Sequence, residues 1–339
     1  MLSYFKKNDP YRIVGLLMIL IVTRITFFFF FKTEDWVLTI DSEGPLSNET
    51  IHSGPITNLL FMVVSFFNTE VLDTLLAGTL ILLNGILLNS IFIRNASFQE
   101  SSYVPASMYI ILMSASKDFY HLSPALVGSS FLLISLNFLF YHIKYRGTEE
   151  NIISTGFTIG LAALCYYPFM WIYIMVLIIY LLYSGTITRR YFLLTWGFVL
   201  PLLITWLIFF VLDKGDQFLN TLFSGSVDHQ ILGELLEQSL IVYGFALALS
   251  LVAAIQNFAG QGMTNHQILV QKAMSWVGFF GILAFAIFGF NNLAALVLVI
   301  PAMAYFCTKL FADLSKKYVG ELLFLGIVAV AIATIVLGY

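Results

Sequence analysis

Charge is what this sequence has least of. Only 10% of its 339 residues are Asp, Glu, Lys or Arg, where a soluble protein carries about a quarter. Mean hydropathy is +0.91, so water is not the main solvent for the chain. Cysteine is nearly missing as well. The two present, Cys165 and Cys307, lie inside apolar segments, which argues against a structural disulfide or a thiolate metal site. There is no glycine-rich phosphate loop, no pair of histidines at metal-ligand spacing and no nucleophile elbow. Neither charge sign dominates: 16 basic residues stand against 19 acidic ones, which argues against a nucleic-acid partner. The start, "MLSYFKKNDPYR", is too polar and too short before the first apolar run to read as a cleaved signal.

What the chain has instead is apolar runs from end to end, most of them near the roughly 20 residues that cross a hydrocarbon core. They fall at about 13–31, 72–93, 103–117, 123–143, 152–166, 169–184, 191–211, 238–258, 273–290, 293–310 and 320–338. The expectation is an all-α, polytopic transmembrane helix bundle of about 11 spans, with the lipid bilayer as solvent. No stretch between the runs is long enough for a separate soluble unit, so 1–339 reads as one integral membrane domain. The run 55–67 is short for a crossing and reads as a juxtamembrane helix lying at the interface.

Basic residues set the direction. With the N-terminus cytoplasmic and 55–67 not crossing, Lys6, Lys7, Arg12, Arg94, Lys144, Arg146, Arg189, Arg190, Lys272, Lys309, Lys316 and Lys317 face the cytoplasm. Only Lys32, Lys117 and Lys214 face out. That is the positive-inside asymmetry, and it places the C-terminus outside. The acids then gather on the outer face, and they are densest in "WVLTIDSEGPLSNETIHSGP" (36–55), which holds Asp41, Glu43, Glu49 and His52. Acids contribute little to topology. A solvated outer surface explains most of them; a site for a cation or a hydroxylated substrate is the functional alternative.

Two further polar features stand out. Arg24 lies well inside the first span, in "ILIVTRITFFFFF", where a charge costs about 2.5–3.5 kcal/mol and needs a partner. It reads either as part of a structural hydrogen-bond network or as a bidentate ligand for phosphate or carboxylate. The outer turn "MSASKDFYHLSPALVG" (113–128) packs Lys117, Asp118, Tyr120 and His121 together. Ser123 and Pro124 there read as the cap and first turn of the next helix. Tyr166 and Tyr167 in "LCYYPFMW" read as an interfacial aromatic belt. "QGMTNHQILVQKAM" reads as a plain connector. Asn95-Ala96-Ser97 matches the glycosylation triplet, but on the cytoplasmic side.

The order of these pieces resembles the GT-C superfamily of polytopic membrane glycosyltransferases, the group of the protein mannosyltransferases and the aminoarabinose transferase of lipid A. The matching pieces are Arg24, then Trp36 with Asp41 and Glu43, then "IHSGPITNLLF", "SASKDFYHLSP", "YHIKYR" and "ISTGFTIGLAALCYYPFMW". The resemblance covers residues 1–210, with 211–339 as additional C-terminal spans. In one respect the pattern departs from the family: the turn at 113–128 carries Lys117 and His121 where the family has an arginine.

The resemblance implies transfer of a sugar from a polyprenyl-phosphate donor to an acceptor on the outer face of a bacterial inner membrane. It implies that Asp41 is the general base, with Glu43 as runner-up. Arg24 or Lys117 would hold the phosphate, with Asp118, His121 and His52 lining the same substrate region. A divalent metal, if one takes part, would fall to Asp41. Two alternatives stand beside this reading. One is a non-catalytic subunit of an inner-membrane assembly on the same scaffold, with membrane-protein partners. The other is a transporter of a small molecule or lipid, against which the lack of internal repeats and of midplane polar groups counts.

Overall fold

The computed structural model describes residues 1–6, 9–30, 54–65, 70–116, 119–145, 149–183, 188–216, 218–219, 232–256, 263–288, 297–314 and 317–337. Among these the chain is helical. The helices are α1 (Leu2–Phe5), α2 (Arg12–Phe30), α3 (Pro55–Ser65), α4 (Glu70–Arg94), α5 (Val104–Met113), α6 (Pro124–Tyr145) and α7 (Glu149–Cys165). A short 3₁₀ turn, Tyr167–Phe169, leads into α8 (Met170–Tyr183) and α9 (Thr188–Val211). Then come α10 (Leu232–Gln256), α11 (Asn265–Phe288), α12 (Ile300–Asp313) and α13 (Lys317–Leu337).

Every apolar run read from the sequence contains a helix, and the run 55–67 carries α3. Among the described residues five helical stretches are long and apolar enough to cross a membrane: Leu72–Arg94, Pro124–Tyr145, Thr188–Val211, Asn265–Ala284 and Tyr318–Val336. This is the make-up of a helical integral membrane protein. Proline marks where helices begin: it opens α3 and α6 and sits in the first turn of α5 and α12, where its missing N–H has no helical partner to lose. Pro201 lies inside α9.

The chain forms two compact units. The first comprises residues 1–30, 74–123 and 230–339. Its centre is α5, all ten of whose side chains are buried, packed by α2, α12 and α13. At about 1.5 Å per residue α5 is only about 15 Å long, one of the shorter apolar helices of the chain. α12 is buried just as completely from Ile300 to Phe311. α1 docks onto this unit through Leu2 and Phe5, each 2% exposed. The Lys6 ammonium donates to the last-turn carbonyl of Phe311, a favourable place for a cation at a helix C-terminus.

The "QGMTNHQILVQKAM" stretch is more than a connector. From Asn265 it forms the first turns of α11, with Thr264 and Gln267 exchanging capping hydrogen bonds. Some of its polar side chains turn inward: Gln267 and Gln271 are buried, and His266 Nε2 lies 2.7 Å from the Asn95 carbonyl. The Asn95 amide is 1% exposed and donates to Ile91 O, so this triplet offers no glycan acceptor.

The second unit comprises residues 31–73 and 124–229, and α7 lies at its heart, between α6 and α9. The spacing Gly156-x-x-x-Gly160 explains how close α9 comes. A Cβ at Gly156 would overlap the Leu194 carbonyl oxygen, and one at Gly160 would meet Pro201 and the Phe198 carbonyl. Small residues let helix backbones approach in this way where lipid provides no hydrophobic driving force.

Candidate functional site

Arg24 is the charged residue deepest in α2, and its side chain closes on the main chain. Nη1 donates to Tyr120 O at 2.7 Å and Nη2 to Phe119 O at 2.8 Å. The guanidinium carbon also lies 4.3 Å from the centroid of the Tyr120 ring. On its own helix Phe27 stacks on that ring at 3.8 Å, so Tyr120 is held by a cation and an aromatic from successive turns of α2. The Tyr120 hydroxyl shares its one proton between Thr23 O and Ser114 O, at 3.2 and 3.1 Å. Burial raises its pKa above the usual tyrosine value, against a smaller opposing pull from the Arg24 charge and the Thr23 contact.

A third strut comes from the last helix: Thr334 Oγ1 donates to Ala115 O at 3.1 Å. The turn between α5 and α6 is thus fixed by α2 and α13 together. Phe119 and Tyr120 are fully buried, an unusual state for a connecting segment. It holds here because the carbonyls of Ala115, Phe119 and Tyr120 have side-chain donors.

Of the catalytic and substrate-binding candidates read from the sequence, Arg24 and His121 are the two described. His121 follows Tyr120 directly and is partly exposed. Asp41, Glu43, His52, Lys117 and Asp118 lie outside the described residues. Among the described residues no three His, Cys, Asp or Glu side chains come together as metal ligands. The turn's tyrosine platform and its Thr334 strut were not legible beforehand. A threonine in "AIATIVLGY" looks like any small polar residue in a span, since hydroxyls there commonly bond their own helix.

In the second unit the start of α3 is pinned to the end of α7. Gly54 N–H donates to Cys165 O at 2.9 Å, and Thr57 Oγ1 donates to the same oxygen at 2.8 Å. Only glycine fits at 54, because a Cβ would overlap the Leu164 carbonyl. The glycine and threonine of "IHSGPIT" therefore have a structural reason of their own. Tyr166 and Tyr167, read as an interfacial belt, are instead buried, at 1% and 9% exposure. Tyr166 packs edge-on against Phe169 at 5.1 Å.

No protein-family model matches this chain, and no curated protein matches it either.

Proposed function

We propose that this protein is a GT-C-like membrane glycosyltransferase, moving a sugar from a polyprenyl-phosphate donor to an acceptor on the outer face of a bacterial inner membrane. The chain would make about eleven crossings, with the N-terminus cytoplasmic and the C-terminus outside. One observation carries the reading: the Arg24 fork on Phe119 O and Tyr120 O. It fixes the main chain at Phe119 and Tyr120, which in sequence lie between Lys117 and Asp118 on one side and His121 on the other. A phosphate site needs its charged groups held in place before the ligand arrives. A half-buried guanidinium that clamps two adjacent carbonyls of this segment supports the reading.

In this reading Arg24 is a positioning residue. Its two terminal nitrogens serve carbonyls, so holding the donor phosphate falls to Lys117, with Asp118, His121 and His52 beside it. Asp41 would take the proton of the acceptor hydroxyl, and Glu43 would be the substitute. A divalent metal, if the reaction uses one, would be held by Asp41.

The test is consumption of a radiolabelled polyprenyl-phosphate hexose by the purified full chain in bilayers. Asp41→Asn should lower turnover about 10²–10⁴-fold, the scale of general-base loss, with Glu43→Gln costing less. Both variants should express normally. If both retain full turnover, the transferase reading fails.

The same Arg24 geometry favours a second reading, in which the scaffold is a non-catalytic subunit of a membrane assembly. There the arginine is a structural staple and nothing more. On that reading both acid variants keep full cellular function, whereas truncation after residue 238 abolishes a partner interaction.

A further inference from the structure

Away from that turn, the first unit buries a cation that has no carboxylate within ion-pair distance among the described residues. Lys309 lies near the C-terminal end of α12 and is 7% exposed. Its ammonium donates to Gln271 Oε1 on α11 and to the Met263 sulfur just before α11. Both acceptors are neutral. Among the described residues no carboxylate lies within ion-pair distance of it. The segments 257–262, 289–296 and 315–316, which adjoin α11 and α12 in the chain, contain no acidic residue. Asp313, one turn further along α12, acts on Lys309 electrostatically from an exposed position. A buried charge is expected to be paired as well as hydrogen-bonded, and in a membrane protein an unmatched one marks a functional site.

A second observation points to what is missing. Tyr305 lies one turn before Lys309, is fully buried, and its hydroxyl has no hydrogen-bond partner among the described residues. Its ring stacks on Phe98 at 5.0 Å. Ser97, the residue before Phe98, is 3% exposed, and its hydroxyl also lacks a partner among the described residues. Lys309 and Tyr305, one turn apart on α12, and Ser97, next to the Phe98 that packs on Tyr305, thus bring one ammonium and two hydroxyls without a partner among the described residues to this part of the unit. Donors in excess, with one positive charge, are the complement of an oxyanion.

We infer that Lys309, with the Tyr305 and Ser97 hydroxyls, forms a binding site for a phosphate-bearing anion. The phosphodiester of an anionic lipid and free inorganic phosphate share the chemistry the site recognises. This site is separate from the turn that carries the proposed transferase, and neither depends on the other. Asp313 opposes the anion by its own charge and so sets the strength of binding.

The experiment is native mass spectrometry of the full chain, delipidated in detergent, with three probes offered singly. These are phosphatidylglycerol, zwitterionic phosphatidylcholine and inorganic phosphate. The wild type should retain phosphatidylglycerol or phosphate in preference to phosphatidylcholine. Lys309→Met should lose that preference by about tenfold or more, the scale of one charge-assisted hydrogen bond. Tyr305→Phe, which removes only an unpartnered hydroxyl, should keep the fold and weaken retention several-fold. Asp313→Asn should strengthen it. Retention of phosphatidylglycerol alone identifies the lipid as the source, and retention of phosphate alone identifies the free ion. A wild type with no preference overturns the site, as does a folded Tyr305→Phe with wild-type retention. If Lys309→Met does not fold, Tyr305→Phe and Asp313→Asn decide the matter between them.

Discussion

Arg24 and Tyr120 hold each other twice: the guanidinium donates to the Tyr120 carbonyl at 2.7 Å and lies 4.3 Å from the centroid of the same residue's ring. A backbone contact and a side-chain contact from one partner fix both the position of the turn and its rotation. Lysine offers a point charge and no fork, so it is not an equivalent substitute.

Replacing Arg24 with Met should therefore leave the buried carbonyls of Phe119 and Tyr120 without their donor. Two charge-assisted hydrogen bonds are at stake, and the expected loss is about 2–4 kcal/mol. Arg24→Lys should recover roughly half of it. Thermal unfolding of the detergent-solubilised chain measures both. A Met variant as stable as the wild type would mean that water serves these carbonyls equally well.

Tyr120→Phe keeps the ring stack on Phe27 and removes the hydroxyl's bonds to Thr23 O and Ser114 O. About 1 kcal/mol should be lost near neutral pH. The alkaline limb distinguishes the two proteins. The Tyr120 pKa in the folded state stands above its unfolded value, burial being the main cause. The stability tied to its neutral form is complete below about pH 10 and is lost as pH rises further. The wild type should accordingly lose more stability than Tyr120→Phe as the pH is taken above that point. Parallel curves would show that the phenol does not titrate in the unfolding range.

Gly156→Ala should push α7 and α9 apart, since the new methyl would overlap the Leu194 carbonyl. Overpacking of this kind costs about 1–3 kcal/mol. Gly244→Ala serves as the control, for nothing lies within 4 Å of its added Cβ. Equal melting temperatures for the two variants would remove the glycine spacing from any role in the α7–α9 contact.

Gly54→Ala tests the other anchor. An alanine there meets the Leu164 carbonyl, and relief of the clash must break the hydrogen bonds of Gly54 and Thr57 to Cys165 O. The expected signature is a melting temperature below that of the wild type, by the scale of an overpacked contact and one lost hydrogen bond. An unchanged melting temperature would show that the junction contributes nothing to stability.

The proposed orientation has its own measurement. A single cysteine at Ser226 should react with a membrane-impermeant thiol reagent from outside the cell, and one at Ser102 should not. Outside labelling at Ser102 would reverse the placement of every basic residue and of the proposed site with it.

Sequence alone determined where the helices are. A run such as 191–211 has to satisfy its own backbone hydrogen bonds in a medium without water, so length and hydropathy predict a helix without reference to any neighbour. It also marked Arg24 as a residue in need of a partner, because a charge inside a span is expensive wherever it points. The identity of that partner was decided by tertiary structure. Phe119 and Tyr120 offer main-chain oxygens, which every residue possesses, so no side-chain pattern announces them. The same holds for Cys165 O beneath Gly54 and Thr57, and for Thr334 on Ala115 O. Burial could not be read either. In a chain this apolar, Tyr166 at a bilayer surface and Tyr166 inside a turn present the same letters. A connector such as "QGMTNHQILVQKAM" becomes the first turns of α11 only when His266 and Gln267 find the carbonyls of Asn95 and Ala96. Hydropathy is a property of each segment by itself, whereas a hydrogen bond between segments exists only once the fold has brought its two ends together.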